Sequence, residues 1–360
     1  MKNNNVIHQI APEITKQDVK AVSNYLESGG WVTEHKLTRD FESNVANYVE
    51  RKYSTAVPNG TIAIYLALLS AGIGKGDKIA LPNLTMIATI NAIIWAGAKP
   101  VLVDVDENLC MSYEKLKNTK GLSGVIYVPL NGRTHNGLEI SKWCKENKLL
   151  LIEDSAHALG SRYSNNKYCG NLGDLSIFSF TPHKIITTGQ GGMVLCDKKS
   201  FNSKLQKLKT FNRKKDKQDW HEDFGLNFKI TDLQSALGIS QFERLDSIIK
   251  KKRKIYDNYK SINSSKFVFG KFLEYEVPWF FEIIANKSSD IKGLKDKLMK
   301  NNIESRYLYP ALSKQKYLKN ISRTDLSYSE HIYSRVLWIP SSINLNIYEQ
   351  EKIIDIINEY

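Results

Sequence analysis

The chain has 360 residues, of which 42% are hydrophobic, and a formal net charge of +13 from 51 basic and 38 acidic side chains. This size allows one large core plus a smaller domain, while the lack of an apolar run of about 18 residues argues against a membrane-spanning helix. The N-terminal stretch lacks the apolar block of a signal peptide, and four cysteines without CxxC spacing favour a reducing compartment, so we expect a cytoplasmic protein without a metal site.

Apolar runs alternate with helical patterns through the first 245 residues. The segment that begins Asn59-Gly60-Thr61 continues directly into an apolar helix, and a helix start of this kind suits an anion because its N–H groups are free. An ordinary capped helix explains the same residues equally well. Six further runs have the length and composition of buried strands: 78–84, 99–105, 124–130, 149–154, 175–180 and 191–196.

Helix-like stretches separate several of these strands, which is typical of a largely parallel sheet covered on both faces. From about residue 245 the pattern changes to a charged helix at 245–262, a strand-like segment at 277–285 and closing helices at 291–302 and 349–360. We therefore predict an α/β protein with a large domain over residues 1–245 and a smaller α/β domain over residues 246–360.

Two basic runs, 213–217 and 250–254, admit two interpretations. They suit a patch that follows nucleic-acid phosphates. A solvated helix face or loop explains them more simply, because no aromatic residues are interleaved with them as single-strand binding would require. We expect the second interpretation.

An acid and a lysine follow two of the predicted strands. Asp154 ends the run at 149–154, and Lys184 lies in a turn after 175–180, directly before the glycine-rich stretch 189–192. A pyridoxal phosphate enzyme needs this pair, because the lysine forms a Schiff base with the cofactor aldehyde and the acid keeps the pyridine nitrogen protonated. Taken alone, Asp154 has the alternative of a helix N-cap, and Lys184 that of a solvated surface charge.

In these motifs the chain resembles the DegT/DnrJ/EryC1/StrS aminotransferases, fold-type I pyridoxal phosphate enzymes that aminate nucleotide-linked keto sugars. The most specific motif is FSFTPHKIITTGQGG at 178–192, and the resemblance extends from about residue 29 to residue 345. The family usually has glutamate where this chain has Gln190. The resemblance implies an aspartate aminotransferase-like fold with a mostly parallel central sheet and a small C-terminal domain.

The resemblance also implies the cofactor contacts. Lys184 is then the Schiff-base lysine and proton carrier, and Asp154 contacts the pyridine nitrogen. The implied phosphate ligands are Gly60, Thr61 and Ser179, and the implied ring contacts are Met86 and His157. Asn227 is implied to come from a neighbouring subunit. A site shared in this way implies a homodimer.

Several positions depart from the family pattern. Met86 replaces a stacking aromatic residue, although its polarizable sulfur still packs against rings. Lys229 replaces an arginine and loses a bidentate fork. The segment 129–137 also differs and admits three interpretations. Asn131 and Arg133 reshape the sugar pocket, or Arg133 meets a phosphate or carboxylate, or Arg133 is a surface residue of a loop.

By the same resemblance, substrate contacts fall on Trp31, Val32, His183, Arg306 and Tyr309. A structural role is the alternative for each of them, above all for the aromatic rings of Trp31 and Tyr309.

The reaction implied is a two-stage transamination through pyridoxamine phosphate, with L-glutamate as donor and a keto sugar on a nucleoside diphosphate as acceptor. The commonest family product is a 4-amino-4,6-dideoxyhexose for O-antigen, lipopolysaccharide or capsule, and amination at C3 is the main competitor. A pyridoxamine-dependent sugar dehydratase is less expected, because its signature replaces the lysine by histidine and here Lys184 is retained beside His183. A nonenzymatic nucleic-acid-binding protein ranks last. The motifs identify neither the nucleotide nor the sugar.

Overall fold

The structure, a computed structural model, describes residues 6–214 and 216–360. Its strands form two separate sheets. In chain order the strands are β1 (Tyr53–Val57), β2 (Lys78–Pro82), β3 (Lys99–Val103), β4 (Gly124–Tyr127), β5 (Leu150–Asp154), β6 (Leu175–Ser179), β7 (Gly192–Cys196), β8 (Phe267–Phe269), β9 (Phe281–Ala285), β10 (Arg306–Tyr307), β11 (Ser322–Arg323) and β12 (Val336–Ile339).

The larger sheet has the strand order β1-β7-β6-β5-β4-β2-β3-β11. Its strands run parallel to their neighbours except β7, which is antiparallel to both β1 and β6. Strands β4, β6 and β7 are buried at every position, as expected for a sheet covered on both faces. The predicted α/β class with a mostly parallel sheet is confirmed.

Helices cover both sheets. In chain order they are α1 (Lys16–Glu27), α2 (Lys36–Tyr48), α3 (Gly60–Ser70), α4 (Ile87–Trp95), α5 (Tyr113–Lys117), α6 (Gly137–Glu146), α7 (Lys199–Leu208), α8 (Asp232–Glu243), α9 (Leu245–Tyr259), α10 (Ser288–Lys300), α11 (Ser327–Ile332) and α12 (Ile347–Asn358). Helix α3 is apolar on all sides because it packs on β6 and β7 and also against α4 and α7. Its N-terminus therefore has a fixed position at the edge of the larger sheet.

The smaller sheet is antiparallel, with the order β10-β12-β9-β8. Helices α9, α10 and α12 pack around it over a separate apolar core that includes Ile255, Phe281, Leu294, Leu337 and Ile353. Strand β11 comes from the C-terminal part of the chain and yet pairs with β3 of the larger sheet. The domain boundary at residue 245 therefore stays a prediction.

The structure corrects one sequence interpretation. The run 250–254 is not a fully solvated helix face, because Lys252 is only 2% exposed and its Nζ donates to the carbonyl oxygens of Trp279 and Ser341. Lys215 of the other basic run, 213–217, lies outside the described residues. Residues 1–5 of the N-terminal stretch, for which no signal peptide is expected, lie outside them as well. In the described ranges, no helix is both long and apolar enough to cross a membrane.

Candidate active site

A cavity of about 310 Å³ lies where β5 and β6 end. Asp154 and Ser179 are the last residues of these two strands, and Gly60 begins α3 beside them. Open parallel sheets commonly bind ligands beyond the carboxyl ends of their strands. The cavity is lined by Asn59, Gly60, Thr61, Ile64, Thr85, Met86, Ala88, Thr89, Val128, Asp154, Ala156, His157, Ile177, Ser179, Thr181, Lys184 and Gln190.

The start of α3 forms a compact backbone cradle in this cavity. The Asn59 side chain accepts a hydrogen bond from the Ile62 N–H at 3.0 Å, which leaves the first N–H groups, those of Gly60 and Thr61, outside the helical ladder. A Cβ on Gly60 would lie 3.0 Å from the Ser179 Cβ, and one on Gly192 would lie 2.5 Å from the Asn59 backbone. Both glycines are therefore required for the close approach of α3 to β6 and β7.

Asp154 is buried in the wall of the same cavity. Its Oδ2 accepts a hydrogen bond from the Thr89 hydroxyl at 2.8 Å, and its Oδ1 accepts one from the Ala156 N–H at 3.3 Å. Residues 155–160 contain two turns and no helix, so Asp154 does not cap a helix. Burial raises the pKa of the Asp154 carboxyl, while the Thr89 hydrogen bond and the charge of Lys184 oppose that rise.

Thr89 is a contact that the sequence analysis missed. A hydroxyl on the first turn of a helix gives no pattern of its own. The only available signal was the TMIAT run, in which Thr89 stands three residues after Met86 and so points to the same face of the helix.

Lys184 occupies the turn after β6, where its backbone N–H donates to the Thr181 carbonyl at 3.0 Å. Burial lowers the pKa of Lys184 to about 7; nearby Asp154 raises that pKa, and Arg306 lowers it further. The amine is thus substantially neutral near neutral pH, which is the nucleophilic form. Lys184 is not the solvated surface charge that an isolated lysine would suggest.

His157 lines the cavity with its ring stacked on Trp279 at a centroid distance of 3.9 Å. Burial, together with the charges of Lys184 and Arg306, lowers the pKa of His157 well below its ordinary value, so the ring is neutral. Its buried Nδ1 has no hydrogen-bond partner among the residues that the structure describes. A polar group of a ligand would satisfy this atom.

The predicted substrate contacts are more dispersed. His183 and Arg306 line a second cavity of about 550 Å³, beside the turn that carries Lys184. Tyr309 stands near His157, with ring centroids 6.2 Å apart. Trp31 is 70% exposed, and neither it nor Val32 lines either cavity. Asn227 is also exposed and lines neither cavity. Its backbone forms an isolated β-bridge with Thr210.

The unusual segment 129–137 lies outside the main cavity. Arg133 is buried and forms an ion pair with Glu282 of β9, and Asn131 donates from Nδ2 to the same carboxylate at 2.6 Å. Arg133 thus pairs with a carboxylate of the protein itself, and a contact between Arg133 and a ligand phosphate or carboxylate stays a prediction. The alternative of a surface arginine is wrong.

The residues around the main cavity fit pyridoxal phosphate. A lysine with a lowered pKa and a buried carboxylate face the same space, and a helix start with free N–H groups lies beside the Ser179 hydroxyl. The unpartnered Nδ1 of His157 adds one more polar contact. Lys184 suits the aldehyde of the cofactor, and Asp154 suits its pyridine nitrogen. The start of α3 with Ser179 suits the phosphate, and His157 suits the phenolic oxygen.

Comparison with known proteins agrees with this geometry. The profile of the DegT/DnrJ/EryC1/StrS aminotransferase family matches residues 12–358. The chain is 33% identical over 365 residues to the GDP-perosamine synthase of Escherichia coli O157:H7, covering 97% of both proteins. PseC of Helicobacter pylori, an aminotransferase involved in pseudaminic acid biosynthesis, superimposes with a TM-score of 0.92 at 23% identity over 98% of both chains. DesI, solved in the presence of its TDP-sugar product, superimposes with a TM-score of 0.89 at 21% identity, covering 99% of this chain and 93% of the DesI chain. The two structural likenesses show a shared fold.

Proposed function

This chain belongs to the DegT/DnrJ/EryC1/StrS aminotransferase family, and from that premise we propose that it moves an amino group from L-glutamate to a nucleotide-diphosphate-linked keto sugar. The observation that carries the proposal is the single cavity shared by Lys184, Asp154 and the start of α3. The cofactor is pyridoxal 5'-phosphate, held by Gly60, Thr61 and Ser179 at its phosphate and by Asp154 at its pyridine nitrogen.

Bound there, the cofactor supplies an aldehyde for the amino group and a protonated ring that withdraws electrons. Lys184 is the residue that carries protons, because its pKa near 7 lets it both accept and donate at neutral pH. Asp154, fixed by Thr89, is the negative charge that favours a protonated ring nitrogen. Met86 and His157 border the same space and supply the ring contacts.

For the acceptor, we propose a 4-keto-6-deoxyhexose carried on a nucleoside diphosphate. The relationship to GDP-perosamine synthase supports a nucleotide-linked sugar. The second cavity, with Arg306 and His183, offers cationic and polar groups beside Lys184, and Tyr309 borders His157. A phosphate or sugar hydroxyl finds donors there. The alternative acceptor, a 3-keto sugar, uses the same groups.

We further propose a homodimer in which a second copy completes the site. Asn227 is exposed and lies away from its own main cavity, as a residue that serves a neighbouring subunit must. Exposed Trp31 and Val32 then belong to the same contact region. If so, a mixture of Lys184→Ala and Asn227→Ala chains regains activity after subunit exchange, whereas each variant alone stays weak.

The proposal extends to cell context and domains. We propose a large unit over residues 1–245 and a small one over residues 246–360. The enzyme then works in the cytoplasm on precursors of O-antigen or capsule and binds no nucleic acid. Membership of the family supports this arrangement.

A spectral titration tests the reaction. Glutamate should remove the visible absorption of the bound cofactor, and after the donor is removed one nucleotide-linked keto sugar should restore it. Supplying GDP-, UDP- and dTDP-linked 3-keto and 4-keto sugars one at a time then identifies the acceptor. Absorption that glutamate leaves unchanged contradicts the proposal and favours the dehydratase. A Lys184→Ala variant that retains turnover contradicts it as well.

A further inference from the structure

Trp279 touches the reactive turn in three ways. Its indole Nε1 donates to the His183 carbonyl at 2.6 Å, so it binds the peptide unit that joins His183 to Lys184. Its ring lies 4.2 Å from the Lys184 Nζ and stacks on His157 at 3.9 Å. One buried side chain therefore contacts the backbone of the lysine, the amine of the lysine and the histidine of the cavity wall.

The backbone of Trp279 is fixed on both sides. Its N–H donates to the Asn131 carbonyl at 2.9 Å, and its carbonyl accepts from the Nζ of Lys252. Lys252 also donates to the Ser341 carbonyl at 2.6 Å, which ties α9 to the end of β12. A residue anchored at its N–H, its carbonyl and its indole nitrogen has little freedom to move.

A buried charge cluster holds the Asn131 side of this arrangement. Asn131 adopts a left-handed conformation, with φ 56°, and its side chain and that of Arg133 both bind Glu282. Gly132 between them also has a positive φ, and a Cβ there would lie 2.1 Å from the Val277 carbonyl oxygen. The loop 131–133 is thereby pressed against the segment that leads into Trp279.

We propose that Trp279 is a positioning residue for Lys184: its indole, held by Asn131 and Lys252, fixes the lysine turn and the direction of the amine. The inference deepens the proposed function and rests on it for the reaction. It also assigns a purpose to the atypical segment 129–137, whose Asn131 supplies one anchor. Displacement of a reacting group by about 1 Å costs on the order of 100-fold in rate, so an anchor of this kind has a measurable effect.

Trp338 is the matched control. It is a fully buried neighbour whose ring lies 6.0 Å from that of Trp279, and its Nε1 has no hydrogen-bond partner among the described residues. The change Trp338→Phe removes the same atoms from the same core without releasing the lysine turn. The change Trp279→Phe keeps an aromatic ring beside Lys184, removes the indole donor and loses the same ring volume as the control.

The first measurement is hydrogen–deuterium exchange of the peptide 181–190 in the cofactor-loaded enzyme. We expect faster exchange in Trp279→Phe than in Trp338→Phe, and an intermediate rate in Lys252→Met, which leaves the indole in place and removes one anchor. Equal exchange in the two tryptophan variants would overturn the proposal. Because this readout needs no substrate, it is decided separately from the aminotransferase assignment.

The second measurement is the visible circular dichroism of the bound cofactor, together with steady-state kinetics. In Trp279→Phe the dichroism should weaken, and kcat should fall by about tenfold with the KM values nearly unchanged, because orientation is lost and binding is not. In Trp338→Phe both should stay near the wild-type values, at a similar loss of thermal stability. Unchanged dichroism in Trp279→Phe, or an equal decrease in both variants, argues for a purely structural tryptophan.

Discussion

Two lysines contact Trp279 from different regions of the molecule, and burial lowers the pKa of both Lys184 and Lys252 to about 7. Lys184 faces a cavity of about 310 Å³ that it shares with a carboxylate. Lys252 donates to two backbone carbonyls and lies outside that cavity. A lowered pKa therefore marks a reactive lysine only where open space and a chemical partner accompany it.

The largest difference between the two regions should appear in activity. Lys184→Ala should abolish turnover, since general acid–base catalysis by a positioned lysine contributes about 10²–10⁴-fold and covalent binding of the cofactor is lost as well. Thermal unfolding should change little, because the variant opens only the cavity wall. Lys252→Met should retain measurable turnover and bind cofactor. A Lys252→Met enzyme as inactive as Lys184→Ala would break the comparison.

The second largest effect concerns the stability of the supporting region. Glu282→Gln leaves Arg133 buried without its counter-charge, and breaking a buried pair in this way costs about 3–5 kcal/mol. The matched change Glu146→Gln affects an exposed pair with Lys142, which contributes roughly 0–1 kcal/mol. Urea unfolding of both variants measures the two values. Equal losses would contradict the importance given to the buried cluster.

The pH dependence of stability sharpens the comparison further. Between about pH 7 and 10.5 the folded protein keeps Lys252 neutral while the unfolded chain binds its proton, so the contribution of this residue to stability should increase as the pH rises. The slope is at most about 1.4 kcal/mol per pH unit. The measurement is the free energy of unfolding of the wild type and of Lys252→Met at several pH values in that window. The difference between the two proteins at each pH gives the contribution of Lys252. A difference that stays flat or decreases with pH would show that Lys252 is not neutral in the fold.

The smallest expected effect is on the cavity side, at Thr89. Thr89→Val removes the hydroxyl that donates to Asp154, which should raise the pKa of that carboxyl and destabilise the fold by about 1–3 kcal/mol. Thr89→Ser restores the donor and should recover most of the loss. The pH profile of the visible cofactor band measures the change at Asp154. Identical profiles in the valine and serine variants would mean that the hydrogen bond does not influence the carboxyl.

Much of the fold was readable because parallel strands are long apolar runs. The runs at 149–154 and 175–180 became β5 and β6, and the apolar helix after Asn59 became α3. Strand β1 was missed because its sequence YSTAV is only partly apolar and lies between charged and turn residues. Strand β12 was missed because its pairing partners lie far away in the chain. Strand order in both sheets depends on such distant contacts, which periodicity does not encode.

Lys252 is a residue whose burial could have been predicted from helical spacing, although its charge suggested exposure. It shares helical spacing with the buried residues Leu245, Ile248, Ile255 and Tyr259, so the pattern already placed it on the inner face of α9. Its charge alone suggested a solvated side chain, and the two carbonyl oxygens that accept hydrogen bonds from it belong to residues 279 and 341. The spacing was the better signal.

The sequence by itself determined the class of fold and the helix start at Gly60, and it singled out Lys184 and Asp154, which the structure places around one cavity, because each depends on local pattern and short motifs. Only the tertiary structure decided what Arg133, Trp279 and Thr89 do. Their partners are 65 to 149 positions away, as with Arg133 and Glu282, Trp279 and His183, and Thr89 and Asp154. Burial made those partners matter, because a polar group removed from water must find its hydrogen bonds inside the protein.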